Sequence, residues 1–142
     1  MASFWKIDMN YEDIQVGAVY TFLRAIAKQD VLDFASLTGD VNKLHIDAEF
    51  GERSIFKKNI VHGMLAGSLF STLVGVHCPG ENGVYLSQTL QFRRPIFYRD
   101  TLEVRGTVLS KHDSIRIITL KTEILRDKEV LISGEARVRV TK

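Results

Sequence analysis

Residues 64–74, MLAGSLFSTLV, run without a single charged side chain, and this stretch constrains the fold more than any other. Read as a helix, it is apolar or small all the way round, and a helix with no polar face has to be buried on most sides. Gly75 offers a stop for it. It falls short of the roughly 18 apolar residues a membrane span needs, so a core helix is expected. The C-terminal half of the chain supplies the cover. Residues 84–94, 101–110, 114–125 and 129–140 are strand-like and are separated by short polar turns. The last alternates cleanly, with Ala136, Val138 and Val140 on one face and Glu135, Arg137 and Arg139 on the other. Short turns imply antiparallel neighbours. Upstream, residues 18–26 read as a strand and residues 30–38 as a helix, with Asp30 as cap and Gly39 as stop. Residues 40–61 read as irregular, with a helical turn around Ala48 to Glu52. The plan is α+β, an antiparallel sheet wrapped around one apolar helix. Such a sheet has an open edge, so self-association is expected.

The chain of 142 residues is expected to form a single domain, residues 1–142, with no internal linker. A net charge of +2, with basic residues mostly interleaved with acids, gives no basic stripe for nucleic acid. The one cysteine, Cys78, excludes an internal disulfide and a cysteine-based zinc cluster. No membrane segment is expected. The opening MASFWKIDMNYEDI is too acidic and too poor in apolar runs for a secretory signal, so the expected location is the cytoplasm.

Chemistry concentrates in FASLTGDVNKLHID, residues 34–47, where Asp40 and His45 stand five positions apart with Asn42 between them. On a helix this spacing puts the side chains roughly 140° apart. On a strand it points them to opposite faces, about 17 Å apart along the chain. Only a bent loop unites them, and Gly39, Asp40 and Asn42 are residues that make one. Taken alone, Asp40 could be a turn residue and His45 a hydrogen-bonded structural histidine.

These residues resemble a known family. Phe34, Leu37, Thr38-Gly39-Asp40, Asn42, Leu44-His45 and Asp47 are similar to the signature of MaoC-like (R)-specific enoyl-CoA hydratases. Val61-His62-Gly63-Met64-Leu65 resembles that family's second block. Tyr85-Leu86-Ser87-Gln88, Phe92-Arg93, Arg94-Pro95 and Asp100-Thr101-Leu102 resemble its later strand pattern. The resemblance implies the hotdog fold, paired into a homodimer or a larger assembly of dimers. It also implies an (R)-specific hydratase/dehydratase that interconverts trans-2-enoyl-CoA and (R)-3-hydroxyacyl-CoA by syn addition of water. The chain departs from the family at Lys43, where proline is usual, at Gly51, where alanine or serine is usual, and at Arg99, where glycine is usual.

Hydration requires a water held and deprotonated near C3, a proton delivered to C2, and a stabilised thioester oxyanion. The resemblance assigns the water to Asp40 and His45, and positioned acid–base groups of this kind contribute about 10²–10⁴-fold. The backbone N–H of Gly63, ahead of the apolar helix, is the candidate oxyanion donor. Asn42 is expected to brace the loop. Arg93 and Arg94 are candidates for the phosphates of a CoA or phosphopantetheine arm, or else a solvated strand end. No metal and no organic cofactor is required.

Other residues read as structural: His62, the helix serines Ser68 and Ser71 bonding to backbone carbonyls, the His77-Cys78 pair, and Phe4, Trp5, Tyr11, Tyr20 and Phe22 as packing. The alternative carrier is acyl carrier protein, which would make the chain a (3R)-hydroxyacyl-ACP dehydratase of fatty-acid synthesis. Thioester hydrolysis is less favoured, because the segment from Met64 to Val74 carries no acid. A non-catalytic acyl-binding subunit ranks lower still, since it would need neither Asp40 nor His45.

Overall fold

A computed structural model of the chain describes residues 8–142. Strand β1 (Val19–Arg24) leads into helix α1 (Lys28–Thr38) and the short helices α2 (Lys43–Ile46) and α3 (Ala48–Arg53). The central helix follows in two segments, α4 (Gly63–Gly67) and α5 (Leu69–Thr72), and finishes in a π-helical turn over Leu73–His77. Strands β2 (Gly83–Gln88), β3 (Gln91–Phe92), β4 (Leu102–His112), β5 (Ile117–Arg126) and β6 (Glu129–Val140) complete the chain. All pair antiparallel in one sheet of order β1-β4-β5-β6-β2, with β3 also on β6. The sheet curls around the central helix, as the uncharged run requires. The described residues include no helix long and apolar enough to cross a membrane.

Strand alternation builds the concave face. Leu102, Val104 and Val108 of β4, Ile118, Leu120 and Ile124 of β5, and Ala136, Val138 and Val140 of β6 are buried. They close on Ala66, Phe70, Leu73 and Val74 of the central helix. Burying a side chain such as Phe70 or Leu73 contributes about 1.5–3 kcal/mol. Gly106, Thr122 and Gly134 face one another across β4, β5 and β6, and Gly106 lets the central helix lie close to β4. A Cβ at Gly106 would lie 2.9 Å from Leu73 Cδ2.

The central helix is less enclosed than its composition predicts. Met64, Ser68, Ser71 and Gly75, at helical spacing, form an exposed stripe, while Ala66, Gly67, Phe70, Leu73 and Val74 are buried. Ser68 does bond to a backbone carbonyl, that of Leu65, at 2.5 Å. The segment 84–94 is two strands rather than one. At Gly134 a Cβ would fall 1.8 Å from the Thr89 carbonyl oxygen, so the link between β2 and β3 runs along β6 in near contact with its backbone. Asp30 does not precede α1 but sits in its first turn, where its carboxylate accepts the N–H of the N-cap Ala27 at 2.8 Å. The strand expected from residue 114 begins at Ile117, because Arg116 takes a positive φ of 52° in the turn. Phe4 and Trp5 lie outside the described residues. Tyr11 is buried in the core as expected.

The three departures from the family pattern have local explanations. Lys43 is the first residue of α2, the position where proline is favoured because its N–H has no intrahelical acceptor. A lysine there loses rigidity but no hydrogen bond. Gly51 leaves room for Asn59: a Cβ would meet the Asn59 backbone N and side-chain Nδ2 at 2.7 Å each. Arg99 adopts the left-handed conformation at φ 65°, the region that favours glycine, and its N–H donates to the Ile26 carbonyl at 2.8 Å.

Candidate active site

The acid and the histidine are brought together by a helix stop and a helix start. Gly39 ends α1 in the left-handed conformation at φ 81°, its N–H donating to the Ala35 carbonyl at 2.8 Å. Thr38 Oγ1 accepts the Asp40 N–H at 3.2 Å, and Asp40 Oδ1 accepts the Asn42 N–H at 3.2 Å. Asn42 then caps α2, its side-chain oxygen accepting the Leu44 N–H at 3.0 Å. The chain reverses within three residues, and α2 turns His45 back toward Asp40. Asn42 therefore braces this loop through its own side chain.

His45 is oriented from behind. Its Nδ1 lies 2.8 Å from the Ile60 carbonyl oxygen, which can only accept, so Nδ1 carries the proton and Nε2 is left with a free lone pair. Tyr98 donates its hydroxyl hydrogen to the His45 carbonyl. Asn59, which the sequence did not single out, ties the overhang down. Its Nδ2 donates to the Leu44 carbonyl at 2.9 Å and to the Asp47 carbonyl at 2.8 Å.

His62 occupies the centre of this arrangement. It is 2% exposed, and its Nε2–H donates to the Asp40 carbonyl at 3.0 Å. Its ring lies 4.0 Å from that of His45, tilted by 31°, and 4.8 Å from that of Phe34 on another side. The Asp40 carboxylate is half-exposed, with Oδ2 3.9 Å from His62 Nε2. Ligating atoms of Asp40, His45 and His62 all lie within 4.8 Å of one another, a spacing that a metal ion could bridge. His45 Nε2 and an Asp40 oxygen would be free to ligate, but His62 Nε2 is committed as a donor to the Asp40 carbonyl.

A cavity of about 390 Å³ opens beside His45. Phe56, Phe92, Ile96 and Ile132 give it apolar walls, and Gly63 contributes backbone. Gly63 is the first residue of α4, so its N–H has no acceptor inside the helix. Phe92 packs directly on it, with a Cβ at Gly63 meeting the ring at 2.8 Å. Arg93 and Arg94 line the same cavity. Arg93 donates to Ser133 Oγ at 2.7 Å and to Gln91 Oε1 at 2.8 Å, whereas Arg94 Nε stands 3.9 Å from a Glu129 oxygen. Asp40 and Asn42 do not line the cavity wall. Cys78 is fully buried, and burial pushes its thiol up to about 11, which suits packing rather than reactivity. His77 stacks on Phe22 with ring centroids 4.6 Å apart, and burial lowers its pKa.

A helix wrapped by an antiparallel sheet, with an acid–histidine overhang at one end, places the chain in the hotdog class of α+β proteins. An R-hydratase of Pseudomonas aeruginosa, in its unliganded form, superposes with a TM-score of 0.90 at 32% identity, covering 95% of this chain and 87% of that one. The model of the MaoC like domain matches residues 13–130. The chain belongs to the MaoC-like family. It is 35% identical over 133 residues to an (R)-specific enoyl-CoA hydratase of Aeromonas caviae, covering 93% of this chain and 99% of the relative. It is 37% identical over 126 residues to a mitochondrial 3-hydroxyacyl-[acyl-carrier-protein] dehydratase of Solanum lycopersicum, covering 87% of this chain and 75% of the relative.

Proposed function

We propose that this chain is an (R)-specific hydratase/dehydratase that interconverts trans-2-enoyl and (R)-3-hydroxyacyl thioesters. The observation that carries the reading is the His45 tautomer. With Nδ1–H spent on the Ile60 carbonyl, Nε2 is left as the base, and a ring nitrogen of His45 lies within 4.8 Å of an Asp40 carboxylate oxygen, beside an apolar cavity. A water between the two groups donates one hydrogen to the Asp40 carboxylate and the other to His45 Nε2. As Nε2 takes its proton, the water oxygen bonds to C3, and the C2–C3 π electrons move toward the thioester carbonyl. The Gly63 N–H, at a helix start, stabilises the resulting enolate oxygen. The proton taken from water then returns to C2 on the same face, which completes a syn addition with no net change in the enzyme. Dehydration is the reverse sequence.

The acyl chain occupies the cavity walled by Phe56, Phe92, Ile96 and Ile132, and Arg93 and Arg94 meet the phosphates of the thioester's carrier. CoA and acyl carrier protein present the same phosphopantetheine arm, and the Aeromonas and Solanum relatives are named for one carrier each. We assign the 142 residues to one domain, working in the cytoplasm as a homodimer. Pairing at the free edge strand β2 would cover its exposed Val84, Tyr85 and Leu86. Hydrolysis is disfavoured because the whole central helix, Gly63 to His77, carries no acid.

The test is to mix the protein with crotonyl-CoA and with crotonyl acyl carrier protein and follow the conjugated enoyl-thioester absorbance. Loss of absorbance on either carrier, without release of free thiol, supports the proposal. No loss on both carriers with chains of four to eight carbons would sink it.

A further inference from the structure

Two buried contacts of His62 are more than packing needs. A side chain chosen only to fill the space between Phe34 and His45 would be apolar. His62 instead buries Nδ1 with no hydrogen-bond partner, an arrangement that disfavours the folded state. What the imidazole adds over a phenyl ring of similar shape is one donor, Nε2–H, which reaches the Asp40 carbonyl across 22 residues of sequence. That carbonyl belongs to the turn between Gly39 and Asn42, whose other bonds through Asp40 are local contacts to Thr38 and Asn42. The same ring lies 4.0 Å from the His45 ring.

From this, and resting on the hydratase reading, we infer that His62 is a positioning residue: it sets the separation of Asp40 and His45 by holding the acid's backbone and supporting the base's ring, at a cost to stability. One buried side chain thus registers both members of the pair. Neither has a comparable anchor to the other, because no direct Asp40–His45 hydrogen bond is seen among the described residues. Small displacements of reacting groups reduce rates steeply, by about 10²-fold for 1 Å. Removing the donor while keeping the ring should therefore damage turnover without damaging the fold.

His62→Phe keeps the ring contacts and deletes both the donor and the unpartnered nitrogen. Relief of the unpartnered nitrogen offsets the loss of the Asp40 carbonyl's donor, so the melting temperature should stay within about 4 °C of the unaltered protein's, while kcat for crotonyl-CoA falls by on the order of 10²-fold and KM stays within about threefold. His62→Gln restores a donor at the distal position and should recover at least tenfold of that loss despite a lower melting temperature. Activity that runs opposite to stability in the two variants is a pattern that a merely structural histidine does not produce. Side-chain ¹⁵N spectra of the unaltered protein should show His62 protonated at Nε2 and bare at Nδ1, a readout independent of turnover. The inference is overturned if His62→Phe keeps kcat within threefold, if losses in both variants simply follow their melting temperatures, or if His62 carries its proton on Nδ1. An unaltered protein that hydrates no enoyl thioester would refute the function but leave the tautomer measurement to decide the position of His62.

Discussion

Replacing Lys43 with proline should stabilise this protein. Lys43 is the first residue of α2, where a backbone N–H has no acceptor inside the helix, so removing it forfeits no helical hydrogen bond. The preceding Asn42 lies at φ −56° and ψ 125°, which is close to the conformation a following proline enforces. The Lys43 carbonyl, which accepts the Asp47 N–H at 3.0 Å, is untouched by the change. The lysine side chain is exposed. What remains is the entropy of the unfolded chain, and fixing one φ in a compatible site contributes about 0.4–1 kcal/mol. For a protein of this length each kcal/mol raises the melting temperature by roughly 2–4 °C, so a rise of about 1–4 °C is expected. Thermal unfolding by circular dichroism, with urea unfolding to check that the m-value is unchanged, measures it. Because α2 carries His45, turnover should hold or rise slightly. A fall of more than 2 °C, or a loss of activity without loss of stability, would show that Lys43 is not the first residue of a regular helix and would refute the account of the overhang.

The Asn59 tie should be just as measurable. Asn59→Ala strands the Leu44 and Asp47 carbonyls and should lower stability by about 1–3 kcal/mol in urea titrations. Gly51→Ala, which presses on the same amide at 2.7 Å, should cost about 1–3 kcal/mol, and the double variant should lose less than the sum of the two. Cys78, fully buried and with its thiol pushed up to about 11, should resist iodoacetamide at pH 8 in the folded protein and react on unfolding. Because its folded pKa is raised, its contribution to stability is present below the ordinary thiol range and is lost as pH climbs toward 11. Rapid alkylation of native protein would contradict the burial.

The sequence made the strands and the core helix legible where periodicity is a local property. The alternation of Ala136, Val138 and Val140 against Glu135, Arg137 and Arg139 maps directly onto the two faces of β6. The uncharged run became the central helix, but its exposed stripe of Met64, Ser68, Ser71 and Gly75 was not visible, because exposure depends on what the sheet leaves uncovered. The break between β2 and β3 escaped for a similar reason. It depends on Gly134 admitting the Thr89 carbonyl, a contact 45 residues distant in sequence. At the site, the angular argument that Asp40 and His45 need a bend was sufficient to place the turn. The helix α2 was missed because four residues give periodicity no purchase, although Asn42 as a cap was its one local signal. His62 read as structural because a lone histidine beside an apolar run is ordinarily that. Its partners, Asp40, His45 and Phe34, are met only in the folded chain.

The central claim is that Asp40 and His45 together add water to an enoyl thioester, and the most direct measurement is the rate and stereochemistry of crotonyl-CoA hydration by the unaltered protein, Asp40→Asn and His45→Gln. The account predicts an (R)-3-hydroxybutyryl product and a fall of about 10²-fold or more in kcat for each variant, with melting temperatures close to that of the unaltered protein. An (S) product, or near-normal rates in both variants, would contradict it.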